Sequence, residues 1–340
     1  MRLNFRLCAA LVLALCTAGC GSFVARRIAQ APNTYPTWFA PKARVELGFS
    51  PKFLTNFPAR VLEVGPPPAR LRYRVVNPAD YEVKVISTNW VEHGKAEFRF
   101  GFRANVPGPT NSWTAAPRGT VVLLHGYGLG QFAMAPWALR LAQEGWRCVL
   151  VDLRGHGKST GKRIFFGLRE TDDLSQLLDA LDRNHQLVGP VAAVGESYGA
   201  GLALRWQTVD PRVRAVVAIT PYAGLSNAVL NIARDYAAWV PEFLIKSGLK
   251  KLPKVLGTSP GELDTTTVVA QHPEPALYIA AENDKIAPPA EVEKLYTLAA
   301  HGSQLVVVPG ATHEAVTYFF KDLAPPIIHW LAETNHPSGD

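Results

Sequence analysis

Gly195-Glu196-Ser197-Tyr198-Gly199 follows the apolar run Val191-Ala192-Ala193-Val194 and precedes Leu202-Ala203-Leu204-Arg205-Trp206, a helical run. The pattern predicts a strand, a sharp turn and a helix. A serine on such a turn needs glycine on both sides, because the backbone is crowded there, and its hydroxyl then stands at the carboxyl edge of a sheet. Taken alone, the motif also describes a plain glycine-serine turn that opens a helix. The surrounding chain decides between the two.

That chain carries further apolar runs at Val121-Val122-Leu123-Leu124, Val149-Leu150-Val151, Val216-Val217-Ala218-Ile219, Leu277-Tyr278-Ile279-Ala280 and Leu305-Val306-Val307-Val308. Runs so uniformly apolar predict a parallel sheet covered on both faces, with cover from helices such as Arg169 to His185 and Pro289 to Leu298. Upstream, residues 71–76, 81–86 and 96–100 alternate polar with apolar and predict antiparallel strands leading that sheet. Between Tyr222 and about Gln271 the rhythm breaks for longer than a connection needs, which predicts a small helical cap. Ser226 is a candidate N-cap there, with Val229, Ile232, Ala233, Tyr236 and Val240 facing the core. Further on, Lys246, Lys250, Lys251 and Lys254 stand among Leu and Ile with no acidic residue, which reads first as a solvated basic face and otherwise as one that meets an anionic lipid surface or acyl substrate, and Gly248 and Pro253 predict a broken helix there.

These elements resemble the α/β-hydrolases, through motifs spread over roughly residues 119 to 333. His125-Gly126-Tyr127-Gly128 is similar to their His-Gly-x-Gly turn, which implies the Tyr127 amide as one oxyanion donor and the Tyr198 amide as the other. Ala281-Glu282-Asn283-Asp284-Lys285 is similar to the loop that carries the acid, implying Asp284, with Glu282 the weaker alternative. Pro309-Gly310-Ala311-Thr312-His313 is similar to the Gly-x-x-His loop of the base, implying His313. The chain order of serine, aspartate and histidine is the order of this fold. The chemistry needs all three, since a serine hydroxyl attacks only when a base takes its proton, and a histidine is that base only when a carboxylate holds its tautomer. The turn Asp152 to Ser159 resembles the Gly-His-Gly-x-Ser loop of monoglyceride lipases and lysophospholipases and is read as structural, as is His125; the other histidines are read as bland. At the elbow the chain departs from that subgroup's Gly-His-Ser-Met-Gly, because Glu196 and Tyr198 flank the serine.

At the start of the chain, Arg2 and Arg6 precede an apolar run from Leu7 to Leu15, and Thr17-Ala18-Gly19 lead into Cys20. This reads as a signal peptide over 1–19, and it resembles a bacterial lipobox with Cys20 as the lipidated first residue, although Thr17 stands where that family has Leu. The neutral Gly21 is similar to members sorted to an outer membrane. The domain reading is an N-terminal extension over 20–70, a hydrolase domain over 71–333 with the cap at about 222–271, and a tail over 334–340.

The net charge of +7 comes from scattered residues with no nucleic-acid motif, and Cys148 sits in an apolar run, so neither nucleic acid nor a disulfide is expected. No phosphate loop has its full spacing, and no metal site or cofactor is expected. The sequence thus predicts a serine hydrolase acting on a small-molecule or lipid ester, exported and lipid-anchored in a bacterial cell envelope (outer membrane or periplasmic face), or otherwise secreted. Thioesterase, serine peptidase and cofactor-free perhydrolase remain open, as does a non-catalytic binding lipoprotein on the same scaffold.

Overall fold

The computed structural model describes residues 21–35, 45–47, 51–92, 95–105 and 113–333. Cys20, the residues before it and the tail 334–340 lie outside the described residues.

Eight strands form the central sheet: β2 (Arg60–Val64), β3 (Ala69–Val76), β6 (Thr120–Leu124), β7 (Arg147–Asp152), β8 (Val191–Glu196), β9 (Val213–Ile219), β10 (Leu277–Ala281) and β11 (Gln304–Val308). Their order is β11-β10-β9-β8-β6-β7-β3-β2. All neighbours from β7 through β11 pair parallel, while β3 pairs antiparallel with β7 and β2 with β3. The chain runs from β6 out to β7 on one side and returns to β8 on the other. β6 and β8 therefore flank the point where strand order reverses, and the crevice outside their carboxyl ends is where sheets of this kind bind ligands.

Both faces of the sheet are covered, as its apolar strands require. Val122, Leu124, Val149, Ala193 and Ala218 meet the buried sides of α3 (Glu170–Arg183), α4 (Tyr198–Val209) and α8 (Pro289–Leu298). Val121, Leu123, Leu150, Ala192 and Val217 face the other way, toward α2 (Ala135–Gln143) and α9 (Phe320–Glu333). Burial on each face, at about 25 cal/mol per Å² of apolar surface, is what makes the sheet a rigid platform.

Of the three predicted leading strands, only 71–76 enters this sheet, as β3. The other two belong to β4 (Glu82–Glu92) and β5 (Lys95–Asn105), which pair with each other, β5 pairing on its other side with β1 (Val45–Leu47), in a separate three-stranded sheet. Its Phe100 is stacked on Phe320, with centroids 5.7 Å apart, and lies 4.7 Å from the Tyr318 ring. Alternation marks a half-buried strand, but the identity of its partner is a long-range matter. β2 and the first two residues of β3, both in the central sheet, lie before residue 71.

The cap consists of α5 (Leu225–Tyr236), α6 (Glu242–Leu256) and α7 (Thr265–Gln271). Gly224, not Ser226, is the N-cap of α5, and the Leu225 amide donates to Asp264 Oδ1 at 3.0 Å. Its predicted core stripe is only half-buried; Leu225 and Ala228 are the buried residues. α6 runs unbroken through Gly248 and Pro253, both of them buried. Gly248 is there for closeness, because a Cβ would press on Val24 and sit 3.2 Å from the Ala25 amide nitrogen. Those residues belong to α1 (21–28), a helical segment in the predicted extension.

From α1 the chain continues as a strap along the loop after β7. Ala31 N–H donates to Lys162 O at 3.2 Å, Asn33 N–H to Gly155 O at 3.1 Å, and Asn33 Nδ2 to Ser159 O at 2.8 Å. The segment 21–35 is therefore docked on the hydrolase body.

Candidate active site

Ser197 stands between β8 and α4 with φ +50° and ψ −108°, a conformation an L-residue rarely holds. The turn is possible because its neighbours lack side chains. A Cβ on Gly195 would overlap the Gly199 carbonyl, and one on Gly199 would overlap the Leu124 carbonyl and lie 2.8 Å from that of His125. Tyr198 opens α4, where the first amides have no intrahelical partner. Across the crevice, Tyr127 follows β6 in a turn closed by Leu129 N–H donating to Gly126 O at 3.2 Å.

The sequence-predicted residues converge. Ser197 Oγ is 2.8 Å from His313 Nε2, and His313 Nδ1 is 2.7 Å from Asp284 Oδ2. The other carboxylate oxygen of Asp284 accepts the Ile286 and Ala287 amides, both at 2.8 Å. Two backbone donors thus hold one oxygen of the acid and leave the other to the imidazole. Glu282 is used elsewhere, since its Oε2 accepts the Gly310 amide at 2.7 Å. Burial works against charge on His313, but the Asp284 hydrogen bond and charge, with Glu196 and Glu314 behind them, outweigh it and raise its pKa above 6.5.

The turns around this set are held by neutral and paired groups. His125 Nε2 accepts the Leu153 amide at 3.1 Å while Nδ1 donates to Gly126 O at 2.8 Å, and burial lowers its pKa to about 4. Asp152 receives the Gln131 and Lys158 amides at 2.7 and 2.9 Å. Arg154 and Asp173 form a buried two-pronged pair at 2.7 and 2.6 Å, tying the Gly155-His156-Gly157 turn to α3.

Three features were not read from the sequence. His156 is buried, with its ring stacked on Tyr198 at 5.3 Å and edge-on to Tyr127 at 5.8 Å, so it packs against the side chains of the two residues whose amides are the candidate oxyanion donors. Glu196 is buried beside His313, and burial lifts its carboxyl pKa to about 7. Glycine-flanked His156 and the polar Glu196 at the end of an apolar strand were the available signals. The third is the strap: Tyr35 Oη lies 3.4 Å from Tyr127 Oη and donates to Arg27 O at 2.7 Å, so residues 21–35 border the turn opposite the serine.

This is the α/β-hydrolase fold, with a serine, histidine and aspartate hydrogen-bonded in series at the carboxyl edge of its sheet. Residues 115–273 match a family described as serine aminopeptidase, S33, a stretch that includes Tyr127 and Ser197 and ends before Asp284 and His313. The chain is 25% identical over 204 residues to the uncharacterized protein YqkD of Bacillus subtilis, covering 58% of this chain and 66% of that protein. It is 25% identical over 236 residues to a monoacylglycerol lipase of Mycolicibacterium smegmatis, covering 59% of this chain and 84% of that one. An esterase of Pyrococcus furiosus, PF2001, superposes with a TM-score of 0.60 at 21% identity, over 85% of this chain and 96% of the other.

Proposed function

We propose that the chain is a serine hydrolase that cleaves carboxylic esters through an acyl-enzyme on Ser197. The observation that carries this reading is the unbroken series Ser197, His313 and Asp284, joined by hydrogen bonds of 2.8 and 2.7 Å. His313 Nε2 takes the Ser197 proton as Oγ attacks the ester carbonyl, and Asp284 stabilises the imidazolium that forms. The Tyr127 and Tyr198 amides receive the negative oxygen. The imidazolium then protonates the leaving alkoxide. Water repeats the sequence on the acyl-enzyme, with His313 again as base, and frees the acid. The lipase and esterase matches support an ester as the substrate.

Labelling of Ser197 by a fluorophosphonate, together with turnover of p-nitrophenyl esters of graded chain length, tests the proposal. Ser197→Ala is expected to lose both the label and on the order of a millionfold in turnover with the fold intact. A wild-type chain that binds esters without labelling or turnover would instead be a binding protein. Peptide-bond hydrolysis is a second reading, favoured by the family description over residues 115–273. Preference for aminoacyl p-nitroanilides over esters would select it.

The chain is also proposed to be exported and anchored by acyl groups on Cys20, supported by the basic start, the apolar run from Leu7 to Leu15 and Ala18-Gly19-Cys20. No helix among the described residues is long and apolar enough to cross a membrane. An intact mass showing acylated Cys20 as the first residue is expected; an unmodified terminus elsewhere would overturn the anchor.

A further inference from the structure

The outer face of α6 has a composition that neither ester hydrolysis nor packing explains. Phe243, Lys246, Lys250 and Lys254 are spaced by three and four residues, so they form one exposed stripe opposite the buried Ile245, Gly248 and Leu252. Lys246 is held by Glu242 at 2.7 Å. Lys250, Lys251 and Lys254 have no acidic partner among the described residues. Trp239, in the link that leads into α6, is 76% exposed, and Phe243 is 61% exposed. Large aromatics left in water beside unpaired lysines are the composition of a surface that enters a headgroup layer, where rings sit at the apolar boundary and ammonium groups meet phosphates.

The path of the chain adds an independent argument. Gly21 packs so tightly on Ser247 that a Cβ would press on the Ser247 hydroxyl. The described chain therefore begins against α6, one position after the proposed anchor residue Cys20. Phe23, on the same short helix, is 66% exposed. The cap that bears this face also touches the base loop, since Tyr236 Oη donates to Glu314 beside His313.

We infer that the outer face of α6, with Trp239 and Phe243, docks on an anionic lipid bilayer and turns the cap side of the catalytic cleft toward it. The inference takes from the proposed anchoring only that Cys20 directly precedes Gly21 in the chain, and its test uses neither acyl groups nor turnover. The chain from residue 20 with Cys20→Ser retains every described element. It is mixed with vesicles of phosphatidylcholine alone or with phosphatidylglycerol added, and sedimented. The protein is expected to partition onto the phosphatidylglycerol vesicles and to be released by salt. The triple variant K250Q/K251Q/K254Q should lose on the order of a hundredfold in partitioning. The matched triple R70Q/K84Q/K321Q, on exposed positions elsewhere, should lose much less, and W239S/F243S should weaken binding even at low salt. Equal partitioning of the two triple variants, or equal binding to both kinds of vesicle, would overturn the inference. So would a dimer in solution that K250Q/K251Q/K254Q dissolves, which would assign the face to a second copy of the chain.

Discussion

Replacing Asp284 by asparagine separates the role of the carboxylate charge from its role as a scaffold. In the native site Oδ1 accepts two amides at 2.8 Å and Oδ2 faces His313 Nδ1 at 2.7 Å. The carboxamide oxygen of the introduced side chain keeps the two amides, because turning it away would leave two buried donors unpaired at about 1 to 3 kcal/mol each. Its NH2 group then points at His313 Nδ1 and makes that nitrogen an acceptor. The imidazole proton moves to Nε2, facing Ser197, and the base is lost. A wrong tautomer of this kind costs on the order of 10⁴ in kcat, or about 5 kcal/mol of barrier. Folding stability should fall by no more than about 2 kcal/mol, whereas Asp284→Ala, which strands the two amides, should cost more stability than Asp284→Asn. The assay is kcat on a p-nitrophenyl ester beside urea unfolding of the same samples. A fall in kcat of less than about tenfold for Asp284→Asn, or a larger fall for Glu282→Gln, would refute the reasoning.

The pH dependence follows from the same pair. Turnover needs neutral His313, whose pKa is raised, so kcat/KM should fall as pH is lowered through a value above 6.5. Glu196→Gln removes a neighbour that favours the imidazolium, so this acid limb should move to lower pH; a limb that stays in place or moves up would show that Glu196 does not act on His313. Gly199→Ala should destabilise the fold by about 3 kcal/mol or more, because the methyl meets backbone carbonyls of β6 and the following turn instead of a movable side chain. Thermal unfolding of that variant close to wild type would mean the turn can open.

How much of this was legible follows from the range of each interaction. The turn at Ser197 was, because Gly195 is crowded by Gly199 within the motif itself, while Gly199 is held against the Leu124 and His125 carbonyls, a contact the motif alone does not show. The parallel sheet was, because burial on two faces makes each strand apolar throughout. The convergence of Ser197, Asp284 and His313 could be expected once their loops were set at the ends of strands of one sheet, since parallel strands bring their carboxyl ends to one edge. The sheet membership of β4 and β5 could not be read, as an alternating strand carries no record of its partner. Nor could the continuity of α6, where Gly248 looks like a break and is a contact with α1. Glu196 reads as a polar residue beside the nucleophile until β6, the following turn and the His313 loop close around it. The docking of residues 21–35 beside Tyr127 joins segments far apart in the chain, partly through backbone hydrogen bonds that leave no mark on residue type and partly through the single side chains of Asn33 and Tyr35, too few to make a pattern. Short-range crowding and burial are written into residue type; the choice among distant partners belongs to tertiary structure, because many chains with the same local pattern satisfy it equally well.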